Sequence, residues 1–434
     1  MSTLTEAYKV PGLKKKILFT FLIVSAMYVM TLVPIPGLSH SAICEHVRLW
    51  GDWGLMLNVI SGKALYNGAI TSLGIYPFLV ASIAMQIATL AVPRLRDLAM
   101  KGDEGSKVIT KITRFVAIGM DIVYAVLFVV GARNTVSTQI NYWLAFVIAV
   151  LCVAIGAAFC GWCIELLNNK GLGNGITIVL VASIVRALPH MFREAASSNE
   201  GSLRIIVPIV LAVVFLGFVI FAVFVNLGEK KLRILFQKKT VGMKQYGMQN
   251  QVIPVKVTQA GIMPIVYAMT INLLFASVAV TVSSKPDQGV ALGAGEYTSN
   301  PVFIVMYVIF VSIFTYIFAM IQFNPVDISN QIKQYGGYIQ GIRPGKPTSQ
   351  YLLSTYTNIN VAGATFLIVL SVVPMLISIA PAFRIFWHVG IMSILVAGGL
   401  METKILLDNG IKENEEANKQ AGRDSRRKNK YSRT

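Results

Sequence analysis

The sequence predicts an all-α integral membrane protein with ten transmembrane helices in two pseudo-symmetric five-helix halves and a short re-entrant helix. Three observations support this fold class. Hydrophobic residues fill 55% of the 434 positions, charged residues only 13%, and the mean hydropathy is +0.65; soluble domains average about 25% charged residues. The apolar residues form runs near the roughly 20 helical residues that a bilayer core requires. One run, between residues 57 and 93, is broken in a way that no single span explains.

The apolar runs predict ten spans. Their bounds are 17–34, 74–92, 113–131, 143–163, 176–189, 203–227, 258–281, 301–323, 361–379 and 383–404. The first is interpreted as a retained span rather than a cleaved signal peptide, because it is too long for a typical h-region. The predicted organisation is a tail at 1–16, a first half at 17–190, an outer hinge loop at 191–202, a second half at 203–404 and a basic tail at 405–434, whose end we expect to be disordered.

The positive charges predict the orientation. If the N-terminus lies inside, 30 of the 38 Lys and Arg residues fall on inner segments and 8 on outer ones. This asymmetry indicates that both termini are cytoplasmic. The net charge of +18 then lies mostly on one face, where it sets topology and attracts anionic lipid. That role accounts for the short loops, but not for the long basic loop 229–256.

The broken run predicts a conduction or transport protein. Residues 55–72 are too short and too polar to cross a membrane, yet too apolar for water, and Tyr66-Asn67-Gly68 forms a polar knot within them. Broken backbone at membrane depth is tolerated only where protein or trapped water satisfies it. The segment is therefore expected to line or close a cavity.

The second span of each half is the interrupted one. Gly74 to Pro77 interrupts the first half, and Gln259 to Pro264 interrupts the second. Matching interruptions of this kind mark the working site in inverted-repeat transporters. If the halves are related, spans two and seven face each other at the pore.

Asp121 is the one acidic residue well inside a predicted span. Such a residue serves either as a proton or sodium relay or in a polar pair between helices. No other span offers a relay partner at similar depth, so the interhelical pair is favoured, with Gln86, Thr270 and Asn272 as candidate partners.

Cys160 and Cys163 lie within an apolar span and are interpreted as small core residues, because no second pair of ligands accompanies them. No nucleotide-binding or hydrolase motif occurs in the sequence. We therefore expect no cofactor, no metal and no enzymatic activity.

The loop at 324–360 carries Arg343 within a stretch rich in glycine and proline, Gly341 to Pro347. Such a stretch forms a stiff tip that presents the guanidinium to a planar acceptor on a partner. The alternative is an ordinary turn with an arginine that only sets topology, and the loop alone favours neither.

These features together resemble the SecY family, the channel subunits of the bacterial Sec protein translocase. The resemblance runs from Val33 to Glu402. Its most specific pieces are Ser61 to Leu65, Leu73 to Pro77, Lys170 to Ile176, Ala260 to Pro264, Phe323 to Pro325 and Gly341 to Gly345. It implies two five-helix halves that open between spans two and three and spans seven and eight.

The resemblance also implies roles for residues. The plug would be the segment 55–72, with Leu57, Ile60, Ser61, Gly62, Leu65 and Asn67. The constricting pore ring would be Ile75, Leu79, Leu180, Val266 and Leu395. The lateral gate would be Val80, Ile83, Gln86, Asp121, Thr270 and Leu274, with Val80 and Leu274 departing from the serine and phenylalanine that are common in the family. The docking residues would be Lys230, Lys231, Arg233, Lys238, Lys239 and Arg343.

The implied function is a passive protein-conducting channel in a bacterial plasma membrane. The implied partners are the SecE and SecG subunits, the SecA motor ATPase, the ribosome, preprotein signal sequences and membrane lipids. Two alternatives are an accessory SecY for a few substrates and an inverted-repeat secondary transporter. The plug-like and Arg343 motifs favour the general channel over the accessory one.

Overall fold

In the computed structural model, the chain forms two compact units, and most of its residues are described. The described residues are 10–36, 38, 43, 51–131, 142–197, 201–236, 239–241, 244–246, 251–258, 261, 263–282, 301–322, 325–334, 336–378 and 381–431. The first unit comprises Met1–Met191, Ser277–Gly295 and Gly399–Thr434, and the second comprises Phe192–Ala276 and Glu296–Gly398.

Up to residue 226, the described part of the chain consists of helices and the turns that connect them. The helices are α1 (Pro11–Met30), α2 (Gly51–Ile60), α3 (Tyr76–Ala91), α4 (Pro93–Met100), α5 (Asp103–Gly131), α6 (Tyr142–Lys170), α7 (Gly175–Ser197) and α8 (Leu203–Asn226). Prolines stand in the first turns of α1, α3 and α4. Proline favours this position because its fixed φ suits a helix and its missing N–H would be unpaired there anyway.

In the remainder, four short strands come first, followed by helices and one further strand. They are β1 (Glu229–Phe236), β2 (Lys239–Val241), β3 (Lys244–Tyr246), β4 (Gln251–Lys256), α9 (Met263–Val282), α10 (Pro301–Gln322), α11 (Pro325–Gln334), β5 (Gly337–Ile339), α12 (Lys346–Ile377), a 3₁₀ helix (Pro381–His388) and α13 (Val389–Tyr431).

A helix occupies each of the ten predicted runs. Among the described residues, seven helices are by themselves long and apolar enough to cross a membrane, or eight if α3 and α4 count as one bent span. The count of ten spans therefore remains a prediction, while a multi-span helical membrane protein is confirmed. Helices α3 and α4 meet at 101°. Val92 between them is extended, with φ −101° and ψ 113°, because Pro93 disfavours a helical conformation in the residue before it.

Three local predictions were wrong. The plug was expected as a helix within 55–72, but α2 ends at Ile60 and turns follow it. The basic tail was expected to be disordered, but α13 continues to Tyr431. The segment 324–360 was expected to be a loop, but α11 lies within it and α12 begins at Lys346, just before Pro347. The sequence reasoning also missed the five strands, since it treated both 229–256 and 324–360 as loops.

Several hydroxyl groups inside the helices are satisfied by the same helix. Thr89, Thr315 and Ser371 each donate to the carbonyl four residues earlier, at 2.6 to 2.8 Å. This bond removes the cost of an unpaired hydroxyl in an apolar setting. These residues therefore need no partner on another helix.

The second unit carries a small mixed substructure that we call the sheet module, residues 229–256 and 325–360. Strand β1 pairs antiparallel with β4 on one side and β5 on the other. Its core consists of Leu232, Ile234, Val255, Ala319, Ile332, Ile339, Leu352 and Tyr356. The Tyr356 hydroxyl donates to the Ala319 carbonyl at 2.7 Å, so the module is anchored to the end of α10.

Candidate functional site

The predicted pore-ring positions of the first unit lie at the start of α3 and in α7. Ile75 precedes α3 directly, and Leu79 follows one turn later and donates its N–H to the Ile75 carbonyl at 3.0 Å. Ile75, Leu79 and Leu180 are all buried. Val266 on α9 and Leu395 on α13 belong to the second unit and are buried as well. All five are aliphatic, and their arrangement as one ring remains a prediction.

The plug positions form a capped helix end followed by turns. At the end of α2, the Ser61 N–H donates to the Leu57 carbonyl at 2.8 Å and the Lys63 N–H donates to the Asn58 carbonyl at 2.7 Å. Gly62 and Lys63 have φ of 61° and 72°, the left-handed conformation that commonly ends a helix. Lys63 is the one non-glycine residue with positive φ among those described.

Asn58 and Ser61 satisfy the broken backbone that follows. The Asn58 side-chain oxygen accepts the Tyr66 N–H at 3.1 Å, and the Ser61 hydroxyl oxygen accepts the Leu65 N–H at 3.3 Å. These bonds take the place of helical hydrogen bonds in a largely buried segment. They explain why irregular backbone is tolerated here, as the sequence predicted.

The polar knot ties the plug segment to the end of α1. The Asn67 side-chain amide donates to the Thr31 carbonyl at 3.2 Å, and the Ile35 N–H donates to the Gly68 carbonyl at 2.9 Å. The Tyr66 ring also lies 5.0 Å from the His190 ring, between centroids. Around these contacts, Leu57, Ile60 and Leu65 are at most 2% exposed. The plug segment is therefore packed within the first unit and held there by these hydrogen bonds.

A cavity of about 480 Å³ lies beside this segment, within the first unit. Ile60, Gly62 and Gly74 line one side of it, and residues of α1 and α7 line the others. The Arg186 guanidinium lies 4.3 Å from the centroid of the Tyr28 ring, and both residues line this cavity. The segment therefore lines a cavity, as its broken pattern indicated.

The predicted gate residues of the first unit lie on α3 and α5. Val80 and Ile83 are buried, Gln86 is half-buried, and Asp121 is 3% exposed. The Asp121 Oδ1 atom has no hydrogen-bond partner among the described residues. Helices α3 and α5 are joined directly by an edge-to-face contact of Tyr76 with Tyr124, 5.1 Å between centroids.

The predicted gate residues of the second unit lie on α9. Thr270 is buried and donates to the Val266 carbonyl of its own helix at 2.6 Å. Leu274 is half-buried. The Asn272 side chain donates to the Phe303 carbonyl of α10 at 3.3 Å, so it bridges the two neighbouring helices of this unit. The pairing of these residues with Asp121 remains a prediction.

The predicted docking residues are distributed over the sheet module. Lys230, Lys231 and Arg233 are exposed on β1, while Leu232 and Ile234 between and beyond them are buried. Lys239 lies in β2, and Lys238 lies outside the described residues. Lys231 contacts Glu229 at 3.3 Å, an exposed pair that contributes little and leaves the cation available.

Arg343 lies at an exposed turn of the same module. The turn joins β5 to α12 and borders an open depression of about 670 Å³ that Lys333, Tyr338 and Arg343 line together. Gly345 at the end of the turn has φ 105° and ψ −137°, a conformation essentially restricted to glycine. Because β5 pairs with β1, the two loops that the sequence presented separately are one structural element.

Sequence reasoning missed two polar arrangements. Arg114 on α5 forms a bidentate ion pair with Glu165 on α6, a pairing that the sequence reasoning did not propose. Buried Ser329 and Thr348 donate to the Gly345 and Arg343 carbonyls, each at 2.8 Å. The signal for the first was available, since Arg114 and Glu165 stand at the ends of neighbouring predicted spans.

Comparison with known proteins gives a consistent result. The family model for SecY matches residues 69–403. The protein translocase subunit SecY of Streptomyces coelicolor is 30% identical over 394 residues, which cover 86% of this chain and 89% of that protein. The protein of the same name from Synechocystis is 30% identical over 411 residues, which cover 92% of each chain.

Solved structures share the fold. A protein-conducting channel superposes with a TM-score of 0.60 at 16% identity, covering 92% of this chain and 91% of that one. Sec61 in the canine ribosome–channel complex from the endoplasmic reticulum superposes with a TM-score of 0.56 at 16% identity, covering 90% and 92%. At these identities the superpositions speak to fold, while the family match and the 30% identical relatives establish the family. This chain therefore belongs to the SecY family.

Proposed function

We infer that the chain is the protein-conducting channel of a Sec translocase and passes unfolded preproteins through a membrane. The observation that carries this function is the SecY match over residues 69–403, which includes the plug turns from Ala69 and all of the predicted pore and gate positions. The chain is a channel subunit and not an enzyme. The inverted-repeat transporter is not favoured, because the relatives are translocase subunits.

The proposed seal is an aliphatic ring with the plug segment beside it. Ile75, Leu79, Leu180, Val266 and Leu395 would form the ring. A narrow apolar constriction excludes water and ions by dewetting. It also offers a passing polypeptide no hydrogen bonds that would hold it back. The burial of all five side chains supports this role.

The proposed lateral gate lies between α3 and α5 on one side and α9 and α10 on the other. An opening there exposes a passing segment to lipid. Each central Leu or Ile favours insertion by about 0.3–0.6 kcal/mol, whereas a central Asp, Lys or Arg opposes it by about 2.5–3.5 kcal/mol. One charge thus offsets about four to twelve leucines. Apolar helices leave sideways, and polar chains continue through.

The proposed docking surface is the sheet module. Its exposed cations suit the phosphates of ribosomal RNA or the acidic groups of a motor protein. The pairing of β5 with β1 supports a single surface, because it links Arg343 to Lys231 and Arg233 through one sheet. We propose the ribosome and the SecA ATPase as alternating partners, and SecE and SecG as the accompanying subunits.

The proposed membrane is the plasma membrane of a bacterium, with both termini in the cytoplasm. The support is the 30-to-8 distribution of Lys and Arg between inner and outer segments. In this orientation the sheet module lies in the cytoplasm, and the plug segment lies toward the outer side.

A stalled translocation intermediate tests the function. A photocrosslinking residue is placed at Leu79 or at Val266, and a secretory chain is arrested midway by a folded C-terminal domain. Controls carry the same crosslinker at Ile155 on α6 and Val305 on α10, which are 66% and 56% exposed. We expect crosslinks from the two buried positions and none from the exposed ones, which should contact lipid.

The length of the substrate adds a second criterion. Crosslinks at Leu79 should appear only when the arrested chain is long enough to reach the membrane interior. A substrate that crosses the membrane without contacting either position, or that crosslinks equally to the exposed controls, contradicts the proposed route.

A further inference from the structure

The inner end of α5 is joined to α6 by one well-formed ion pair. The Arg114 Nε donates to Glu165 Oε1 at 2.9 Å, and its Nη2 donates to Oε2. The side chain of Glu165 is 8% exposed, and that of Arg114 is 55% exposed. A bidentate guanidinium–carboxylate pair fixes both the distance and the relative orientation of the two groups.

The rest of this end of α5 is less buried than the other end. Of the residues between Glu104 and Met120, Gly105 and Ala117 are buried, five are half-buried, and Phe115 is 76% exposed. The ion pair is the polar side-chain contact that the described residues provide between this end of α5 and α6.

The outer half of α5 differs. Asp121, Tyr124, Ala125, Phe128 and Val129 are all buried there. Arg114 and Asp121 are about two helical turns apart, so they lie on nearly the same face of α5. The helix is thus held by more extensive packing at one end, and by less packing and one ion pair at the other. If α5 moves, its Arg114 end is the end that separates at least cost.

We propose that the Arg114–Glu165 pair is a latch that keeps the inner end of the gate helix α5 against α6 and thereby sets how strong a signal sequence must be to open the gate. The proposal rests on the proposed function, because it takes α5 as part of the lateral gate. Arg114 and Glu165 would be positioning residues, which act through the helix and need not touch the substrate.

The two residues are not equivalent when changed. Removing Arg114 leaves a buried carboxylate without its partner, which is strongly destabilising. Removing the charge of Glu165 leaves only Arg114, which is largely exposed and can be hydrated. Glu165→Gln is therefore the cleaner way to open the latch without a buried, unpaired charge.

The test compares two export reporters in cells or vesicles that contain the assembled translocon. One reporter has an intact signal sequence, and the other has a charged residue in its apolar core. We expect Glu165→Gln to raise export of the defective reporter roughly tenfold, equivalent to about 1.4 kcal/mol of gate opening, with little change for the intact reporter. Arg114→Lys, which keeps one charge but loses the fork, should lie in between.

Two variants serve as controls. Lys111→Gln removes an exposed positive charge one turn earlier on the same helix and should change neither reporter. The double variant Arg114→Gln/Glu165→Gln should relax selectivity no further than Glu165→Gln does, because both changes remove the same contact.

Three results would overturn the latch. Glu165→Gln translocons that accumulate normally but discriminate as strictly as the parent would do so. So would a proportional loss of both reporters, which indicates a purely structural pair, or an equal effect of Lys111→Gln. Failure of the parent chain to export even the intact reporter would instead refute the proposed function.

Discussion

The hydroxyl of Thr348, a fully buried residue in the first turn of α12, donates a 2.8 Å hydrogen bond to the backbone carbonyl of Arg343. Ser329 of α11 makes the matching bond to the Gly345 carbonyl. These two hydrogen bonds therefore fix the backbone of the turn that carries the exposed Arg343 guanidinium.

Thr348→Val should weaken binding of a docking partner while leaving the translocon assembled. Valine has the same shape, so the main loss is one buried hydrogen bond, worth about 1 kcal/mol, or roughly fivefold in affinity. Binding of SecA and of ribosomes to purified translocons measures it. Thr365→Val is the control, because that exposed hydroxyl bonds only its own helix, at the Val361 carbonyl. Equal affinities for the Thr348→Val variant and the parent would show that the Thr348 hydrogen bond does not contribute to docking.

Arg343→Glu should block export driven by SecA without disrupting assembly. The change reverses a charge at an exposed turn, so folding is little affected while an acidic or phosphate partner is repelled. Export of a reporter and co-purification of the complex measure the two effects separately. Lys346→Glu is a matched control, since it reverses an exposed charge three residues further on. Normal export by Arg343→Glu would exclude the docking role.

Leu395→Asn should wet the proposed ring. The side chain is 3% exposed, and an amide placed there without a partner costs about 1–3 kcal/mol, which water entry would relieve. We expect ion conductance in planar bilayers and export of reporters with weakened signal sequences. Leu400→Asn, at a 54% exposed site on the same helix, should produce neither. Unchanged conductance and unchanged selectivity would remove Leu395 from the ring.

Gly74→Ala should unseat the plug segment. A Cβ at Gly74 would lie 2.7 Å from the Ser61 Cα, so the segment must shift. Gly102→Ala is the control, because its φ of +69° imposes similar backbone strain while its Cβ would meet open space. We expect ion leakage from Gly74→Ala and from deletion of residues 55–72, but not from Gly102→Ala. A tight membrane with the deletion variant would show that the segment is not a seal.

Much of the fold could be predicted from composition and periodicity. Runs of apolar residues fixed where helices lie, since a lipid-exposed backbone must satisfy its own hydrogen bonds. The breaks at Ser61-Gly62 and Gly74 were also recognisable, because glycine is unfavourable within a helix, although the helix expected within 55–72 ends at Ile60. The exact end of α2 was not recognisable, since it depends on Asn58 and Ser61 accepting hydrogen bonds from later N–H groups.

The docking residues show the same limit. Alternating charge on β1, with Lys231 and Arg233 outside and Leu232 and Ile234 inside, is visible as a strand pattern. This strand pattern was overlooked because the loop was interpreted from its positive charge alone. The union of 229–256 with the Arg343 loop was not predictable from this pattern, since it rests on the register of Ile234 opposite Ile339.

Hydrophobicity, charge asymmetry and ordered motifs are properties of the linear chain, and they were enough to indicate a helical membrane channel of the SecY type. Which polar groups meet became visible only in the folded protein: Arg114 with Glu165, Ser329 with the Gly345 carbonyl, and Asn67 with the Thr31 carbonyl. Apolar burial needs only the right kind of side chain on the right face. A hydrogen bond needs two particular atoms within about 3 Å of each other, and folding brings those atoms together from distant parts of the sequence.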